Sequence, residues 1–208
     1  MHSFTYHLEQ LQLSIIHVII HVIIHVIIHD IIHPSTTWNA AELLGNLSSL
    51  LNPNLPPPPP PPPTTGVPHT FDSIQEVLST DVTTSYFLSG SLSDSTIYSP
   101  SCYFSDPFSG FSGLNRFTSN LSNLSTFVTS YKTKLLTFTP SPKDLTVTSR
   151  ILVKLQLKLP WKPTLNWVWK VTHFIEKNNE GNYQIIEHKE EWEINPNEGI
   201  AQCFRPGR

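Results

Sequence analysis

The residues best able to do chemistry lie in one block, Tyr98-Ser-Pro-Ser-Cys102-Tyr103-Phe104-Ser-Asp106-Pro107-Phe108-Ser-Gly110-Phe111-Ser-Gly113. A short β-type run ends in an Asp-Pro turn, and a glycine-punctuated loop leads into a helical pattern. Asp106 thereby becomes a lone carboxylate at the mouth of a strand–helix joint. Such an acid has two uses: it can cap backbone amides in the turn, or it can face a pocket and move a proton. Cys102 lies in the same run with no base near it in sequence, so a nucleophilic role has no support there.

Two histidines come later. His173 shares a predicted strand face with Trp167 and Trp169, and His188 shares one with Trp192. Both read as core histidines satisfied by a buried partner. The alternative for His188 and Trp192 is a ligand-facing pair. The run from Glu187 to Glu193 reads as a solvated strand face, not a metal site, because successive residues alternate sides. Near the N-terminus His17, His21, His25, His29 and His33 recur in an Ile/Val background. On a helix this row could hold zinc or copper; on a strand it would leave an apolar strip prone to aggregation. A membrane segment over residues 11–32 would have to desolvate several imidazoles, with no Lys or Arg flank to orient it. The plainest reading is low-complexity sequence without an evolved role. No phosphate-binding glycine loop, Gly-x-Ser-x-Gly elbow or His-Glu-x-x-His helix is present, so neither a cofactor nor a metal is expected.

The elements that must position these residues follow from charge and periodicity. No Lys or Arg precedes Arg116, so all thirteen basic residues fall in the C-terminal part. The net charge of −3 argues against a nucleic-acid partner, whose phosphates demand clustered cations. Two cysteines make no disulfide framework and read as free thiols in a reducing compartment. Residues 1–34 form the Ile/Val/His repeat and 35–68 a Ser/Thr and polyproline linker; the folded domain spans 69–208. Pro56–Pro63 impose polyproline II, either as a stiff spacer or as a ligand for a proline-recognition domain.

Within the domain, Asp72 is the expected N-cap of a helix carrying Ile74, Val77 and Leu78 on one face and running on to Tyr86–Leu88. Thr96–Tyr98 and Ser101–Phe104 read as a strand broken by Pro100. Leu114, Phe117, Leu121, Leu124, Phe127 and Val128 recur at helical spacing. The period then switches to two: a strand over 145–159 has apolar odd positions except Ser149, and a second over 165–176 carries Trp167, Trp169, Val171, His173 and Ile175 on one side. A third over 183–194 puts Ile186, His188, Glu190, Trp192 and Ile194 on one side. Arg150, opposite the apolar side of its strand, is expected to pair with Glu187 or Glu191. Helices followed by an antiparallel meander make an α+β fold with one sheet face covered.

The ordered motifs Tyr98…Phe104-Ser-Asp106-Pro107-Phe108…Gly113, Leu159-Pro160-Trp161-Lys162-Pro163 and His188…Trp192-Glu193 resemble domain-of-unknown-function family 2358, over roughly residues 74–195. That family is similar to the nuclear-transport-factor-2-like superfamily, which implies a cone of N-terminal helices packed on a curved antiparallel sheet around an interior pocket. The resemblance also implies an organellar compartment (plastid or mitochondrion), although the N-terminus lacks the Arg of transit peptides; the cytoplasm is the alternative. It implies homodimerisation through the sheet. In the ketosteroid-isomerase branch a strand ending in Asp-Pro supplies a catalytic base, and Asp106 matches that position. The position matching that branch's second acid is Thr172, which departs from the pattern. The leading expectation is therefore a non-catalytic module that binds a small apolar ligand or a partner protein. Tyr86, Phe104, Trp167, His173 and Trp192 are the pocket candidates. The alternatives are an isomerase, dehydratase or hydrolase with Asp106 as base and Tyr98 or His188 as donor, and an adaptor recruited through its polyproline run.

Overall fold

The computed structural model of the chain describes residues 68–107, 110–179 and 181–207. The His repeat and the polyproline run lie outside the described residues. Helix α1 (Phe71–Thr84) forms where Phe71, Ile74, Leu78 and Val82 recur at helical spacing, and all four are buried. Its cap is Thr70, not Asp72: Thr70 and Ser73 exchange side-chain-to-backbone hydrogen bonds, while Asp72 lies exposed in the first turn. The sequence expected one helix through Leu88, but Ser85 adopts a left-handed conformation (φ 58°) and its amide bonds back to Asp81 and Val82. A short helix α2 (Tyr86–Ser89) follows and ends at Gly90 (φ 84°). A Cβ at Gly90 would stand 2.6 Å from Ser125 Oγ, so glycine there lets α2 approach helix α3 (Leu114–Thr126).

Thr96 lies in a 3-10 turn (Ser95–Ile97), not a strand, and β1 (Tyr98–Ser105) runs through Pro100 without a break. The pairing of β1 with its neighbour is irregular between Tyr98 and Tyr103, so Pro100 falls where the regular register is absent. The remaining elements are β2 (Gly110–Ser112), β3 (Val128–Ser141), β4 (Thr146–Leu157), β5 (Thr164–Lys177), β6 (Tyr183–Trp192) and a C-terminal helix α4 (Pro196–Gln202). They give one curved, unclosed six-stranded sheet in the order β2-β1-β6-β5-β4-β3, antiparallel except where β1 meets β6. The whole of β3 was unread from sequence, and Val128, expected on a helix, begins it.

Register arranges the buried face of this sheet in rows. One row is Phe104, His188, His173 and Val147; the next holds Glu190, Val171 and Ser149. Beyond them come Trp192, Trp169 and Ile151, then Trp167 and Val153. The order depends on one bulge. Opposite the step Phe174–Ile175, β6 carries an additional residue, Ile186, so both Ile185 and His188 point inward. The expected inward placement of Ile186 is thereby corrected: Ile185 is fully buried and Ile186 is 40% exposed.

The opposite face is charged and polar. Arg150 forms a two-pronged ion pair with Glu193, in place of the expected Glu187 or Glu191; Glu191 instead pairs with Lys170 at 3.1 Å. Thr172 lies on this outer face, beside Thr148 at 3.4 Å.

The bulge predicts an asymmetry between adjacent isoleucines. Ile185→Ala should lower stability by about 2–5 kcal/mol through loss of buried surface and the void left behind. Ile186→Ala should change it by less than about 1 kcal/mol. Urea midpoints followed by tryptophan fluorescence check this, and equal effects would show that the inward phase is wrong.

Candidate functional site

The rows of the sheet place polar side chains where the helices cover it. His188 and His173, opposite each other on β6 and β5, are both 1% exposed, and their rings meet edge to face at 4.6 Å. Tyr86, brought in by the break at Ser85, points its hydroxyl at His188 Nε2 (3.4 Å). Tyr98, at the start of β1, does the same to His173 Nε2 (3.4 Å). Both contacts are long for O–H···N hydrogen bonds and are correspondingly weak. His188 Nε2 also faces Glu190 Oε1 at 3.1 Å. Phe104 and Phe117 stack at 3.9 Å, and Phe117 lies 5.1 Å from the His188 ring, so this polar group is walled by aromatic rings.

Burial sets the protonation states. It pushes His188 down to about 3 and, with His188 beside it, pushes His173 well below the ordinary imidazole range against a hydrogen bond to the Val147 backbone. Burial raises Glu190 to about 7, although its side chain keeps 13% exposure. Asp81 on α1 is raised by burial too, against hydrogen bonds from Ser93 to its Oδ1. Burial, reinforced by the nearby acids Glu190 and Asp81, carries both tyrosines well above their ordinary value. At neutral pH the interior therefore holds neutral imidazoles and neutral phenols beside two acids.

The His188–Glu190 contact is a hydrogen bond whose donor depends on the charge of Glu190. With Glu190 ionised, Nε2–H donates to it and Nδ1 is an acceptor; with Glu190 protonated, its O–H donates to Nε2 and the ring proton moves to Nδ1. His188 Nδ1 itself has no hydrogen-bond partner among the described residues. The same holds for Asp81 Oδ2, for Ser149 Oγ in the Glu190 row, and for both side-chain atoms of Asn120, one helical turn past Phe117. These are buried donors and acceptors of the kind that folded proteins ordinarily satisfy.

The structure thus brings together Tyr86, Tyr98, Phe104, His173 and His188. Trp167 and Trp192 pack on each other at 4.5 Å, three and two rows along from the histidines. Gly199 of α4 lies against this pair, since a Cβ there would be 2.8 Å from the Trp192 ring. Asp106 is half-buried, just beyond the end of β1, one residue past the pairing of Ser105 with Lys189. Thr172, matched by resemblance to a second acid, points to the outer face and away from this cluster.

Sequence reasoning passed over two acids. Glu190 was assigned to a solvated face, although it alternates in phase with His188 and Trp192. Asp81 lies seven residues after Ile74 and three after Leu78, on the apolar side of α1. An acid at an apolar-face position was the available signal. No group of three or more metal-ligating side chains occurs among the described residues.

The sign of linkage differs between the two partners. Glu190 takes a proton more readily folded than unfolded, so its contribution to stability is lost as pH rises from about 4.5 through about 7. His188 contributes in the other sense, losing stability as pH falls from about 6.5 towards 3. The two overlap in the wild type, and substitution separates them. Relative to wild type, Glu190→Gln should gain on the order of 1–3 kcal/mol between about pH 4.5 and pH 8, read from urea unfolding. A flat or opposite trend would mean that Glu190 stays ionised.

A model of a conserved family, described as "Uncharacterized conserved protein (DUF2358)", matches residues 72–188. The order of helices and strands agrees with the expected α+β arrangement of helices packed on a curved sheet. No curated protein matches the chain. Solved structures similar to it include an NTF2-like protein of unknown function from Burkholderia pseudomallei K96243 (9% identity, 66% of this chain and 100% of that one, TM-score 0.48). Others are a putative isomerase from Bacillus subtilis (13%, 64% and 95%, 0.46) and an LEH-like epoxide hydrolase of M. tuberculosis (11%, 63% and 86%, 0.44).

Proposed function

The chain belongs to the DUF2358 family of uncharacterized conserved proteins, and from its geometry we propose that the domain is a binding module. Its interior takes a small, largely apolar molecule that carries one hydrogen-bonding group. The observation behind this reading is a set of buried polar atoms without hydrogen-bond partners among the described residues, His188 Nδ1, Asp81 Oδ2 and Ser149 Oγ among them, with aromatic rings walling the His188 end. A group of that kind costs about 1–3 kcal/mol when left unsatisfied, whereas an apolar residue of the same shape costs nothing comparable. A core selected for stability alone has no use for it; a ligand that satisfies it gains both affinity and orientation. Tyr86, Tyr98, His173 and His188 are the polar contacts in this reading, and Phe104 and Phe117 are the apolar ones.

One observation favours a second, catalytic reading. Glu190, with its proton affinity near neutrality, can take up and return a proton beside His188 and two phenol hydroxyls, the equipment of general acid–base chemistry. In that reading Glu190 takes the role expected of Asp106.

Native mass spectrometry of the full chain, compared with the denatured protein, tests the binding reading. A small molecule should co-purify and be released on denaturation. His188→Met should abolish its retention while leaving the urea midpoint unchanged or higher; Asp106→Asn should leave retention intact. A destabilised His188→Met that still holds the molecule would overturn the proposal. Turnover that dies with Glu190→Gln while the molecule stays bound would favour the catalytic reading instead.

A further inference from the structure

We propose that the free edge of the sheet, strand β3, pairs with an extended acidic segment of a partner protein in which acids alternate with apolar residues. This surface lies outside the interior, and its role does not depend on the binding reading.

Strand β3 ends one side of the sheet and has only β4 beside it. Its pairing shifts between Val128 and Ser130 and again between Leu135 and Thr137, which leaves Ser130–Leu135 as a regular stretch. The direction of its backbone groups follows from β5. There the Val168 carbonyl accepts from Glu193 N–H, just past the end of β6, at 2.8 Å. Val168 and Leu152 opposite it therefore do not bond to each other, and Leu152 turns its backbone groups to β3, where Lys134 lies opposite. By alternation Lys132 also bonds to β4, and the N–H and C=O groups of Tyr131, Thr133 and Leu135 point outward. No described backbone group bonds to them there. Such a row is a template for a further strand.

Charge selects the occupant. Lys132 and Lys154 stand directly opposite each other on the outer face, and Lys134 follows in the next row. All three are exposed, and none forms an ion pair among the described residues. Farther along the same face the cations have acids, Arg150 with Glu193 and Lys170 with Glu191. Like charges directly opposite each other destabilise a sheet. Two copies of this edge also repel one another, which disfavours self-pairing. An acidic strand laid along β3 relieves the repulsion and gains from all three lysines.

Alternation of side chains sets the pattern of the partner. On an added strand, the residues that share the outer face meet Lys132 and Lys134, and those between them share the inner face with Tyr131 and Leu135. Tyr131 is 44% exposed, so its ring is open to an apolar neighbour. Acids at alternate positions, with apolar residues between, suit both faces at once. A nucleic acid would engage the lysines but offers no strand backbone to Tyr131, Thr133 and Leu135.

A fluorescent peptide of alternating glutamate and valine, as long as Ser130–Leu135, tests this by anisotropy with the full-length protein. Its lysine–valine counterpart and a single-stranded oligo-dT are the comparisons. At about 50 mM salt the acidic peptide should bind about ten-fold more tightly than the basic one, and the advantage should fall away by about 0.5 M. Lys132→Glu combined with Lys134→Glu should reverse the preference, with the fold checked by circular dichroism. Tyr131→Pro should weaken the acidic peptide about ten-fold relative to Tyr131→Ala, because only proline removes the outward N–H. Equal binding of the two peptides, or no binding of either, would overturn the proposal. Oligo-dT that binds as tightly as the acidic peptide would assign the lysines to a nucleic acid instead. Equal losses in Tyr131→Pro and Tyr131→Ala would overturn strand pairing.

Discussion

The one-residue bulge at Ile186 is the constraint on which the rest of this structure depends. A strand alternates sides with a period of two, so without an extra residue β6 could not send both Ile185 and His188 inward. Ile185 joins the apolar layer with Tyr98 and Ile175, whereas His188 meets His173, Phe104 and Glu190. The bulge therefore divides β6 into a packing half and a polar half. The break at Ser85 does the equivalent work on the helical side, since it brings the Tyr86 hydroxyl down onto the same imidazole. Two local departures from regular geometry, one in a strand and one between helices, converge on one ring nitrogen.

Those departures also explain what could be read from sequence. Strands β4 and β5 alternate apolar and polar residues with few exceptions, so their phase was legible, and so was the helix after Gly113. Strand β3 alternates weakly: its Lys, Thr and Ser fall on both sides, most of its residues are exposed, and its register to β4 shifts twice. No periodicity survives that mixture. In β6 the alternation is real on each side of the bulge, but one slipped residue reverses the phase, which is why Ile186 was placed inward while His188 and Trp192 were placed correctly. Most of the polar cluster was visible as residue types on apolar faces. Its two acids were not, because a single Asp or Glu is ordinarily a solvated residue, and only partners from other elements reveal otherwise.

Burial is also what gives the cluster its chemistry. The same loss of water that lowers His188 raises Glu190, so two groups that would form an ion pair at a surface approach neutrality together inside. When Glu190 takes up a proton, its O–H donates to Nε2 and the ring proton sits on Nδ1; when it loses that proton, Nε2–H donates and Nδ1 is left as an acceptor. That coupling makes the hydrogen-bonding character of the interior depend on pH, which that of a wholly apolar core would not.

Such an interior has a thermodynamic consequence. A domain of this size is ordinarily stable by only about 5–15 kcal/mol. Several unpartnered buried polar groups, at about 1–3 kcal/mol each, remove a substantial part of that margin. The aromatic and aliphatic layers around them, Phe104 on Phe117 and Trp167 on Trp192 with Ile74, Leu78, Ile97 and Ile151 fully buried, carry the fold regardless. Stability and polarity are thus separated in space: the rows of tryptophan and isoleucine hold the sheet, and the rows of histidine and glutamate weaken it. The polar rows lie in the least exposed part of the molecule, where a hydrogen bond to an unpartnered group is strongest.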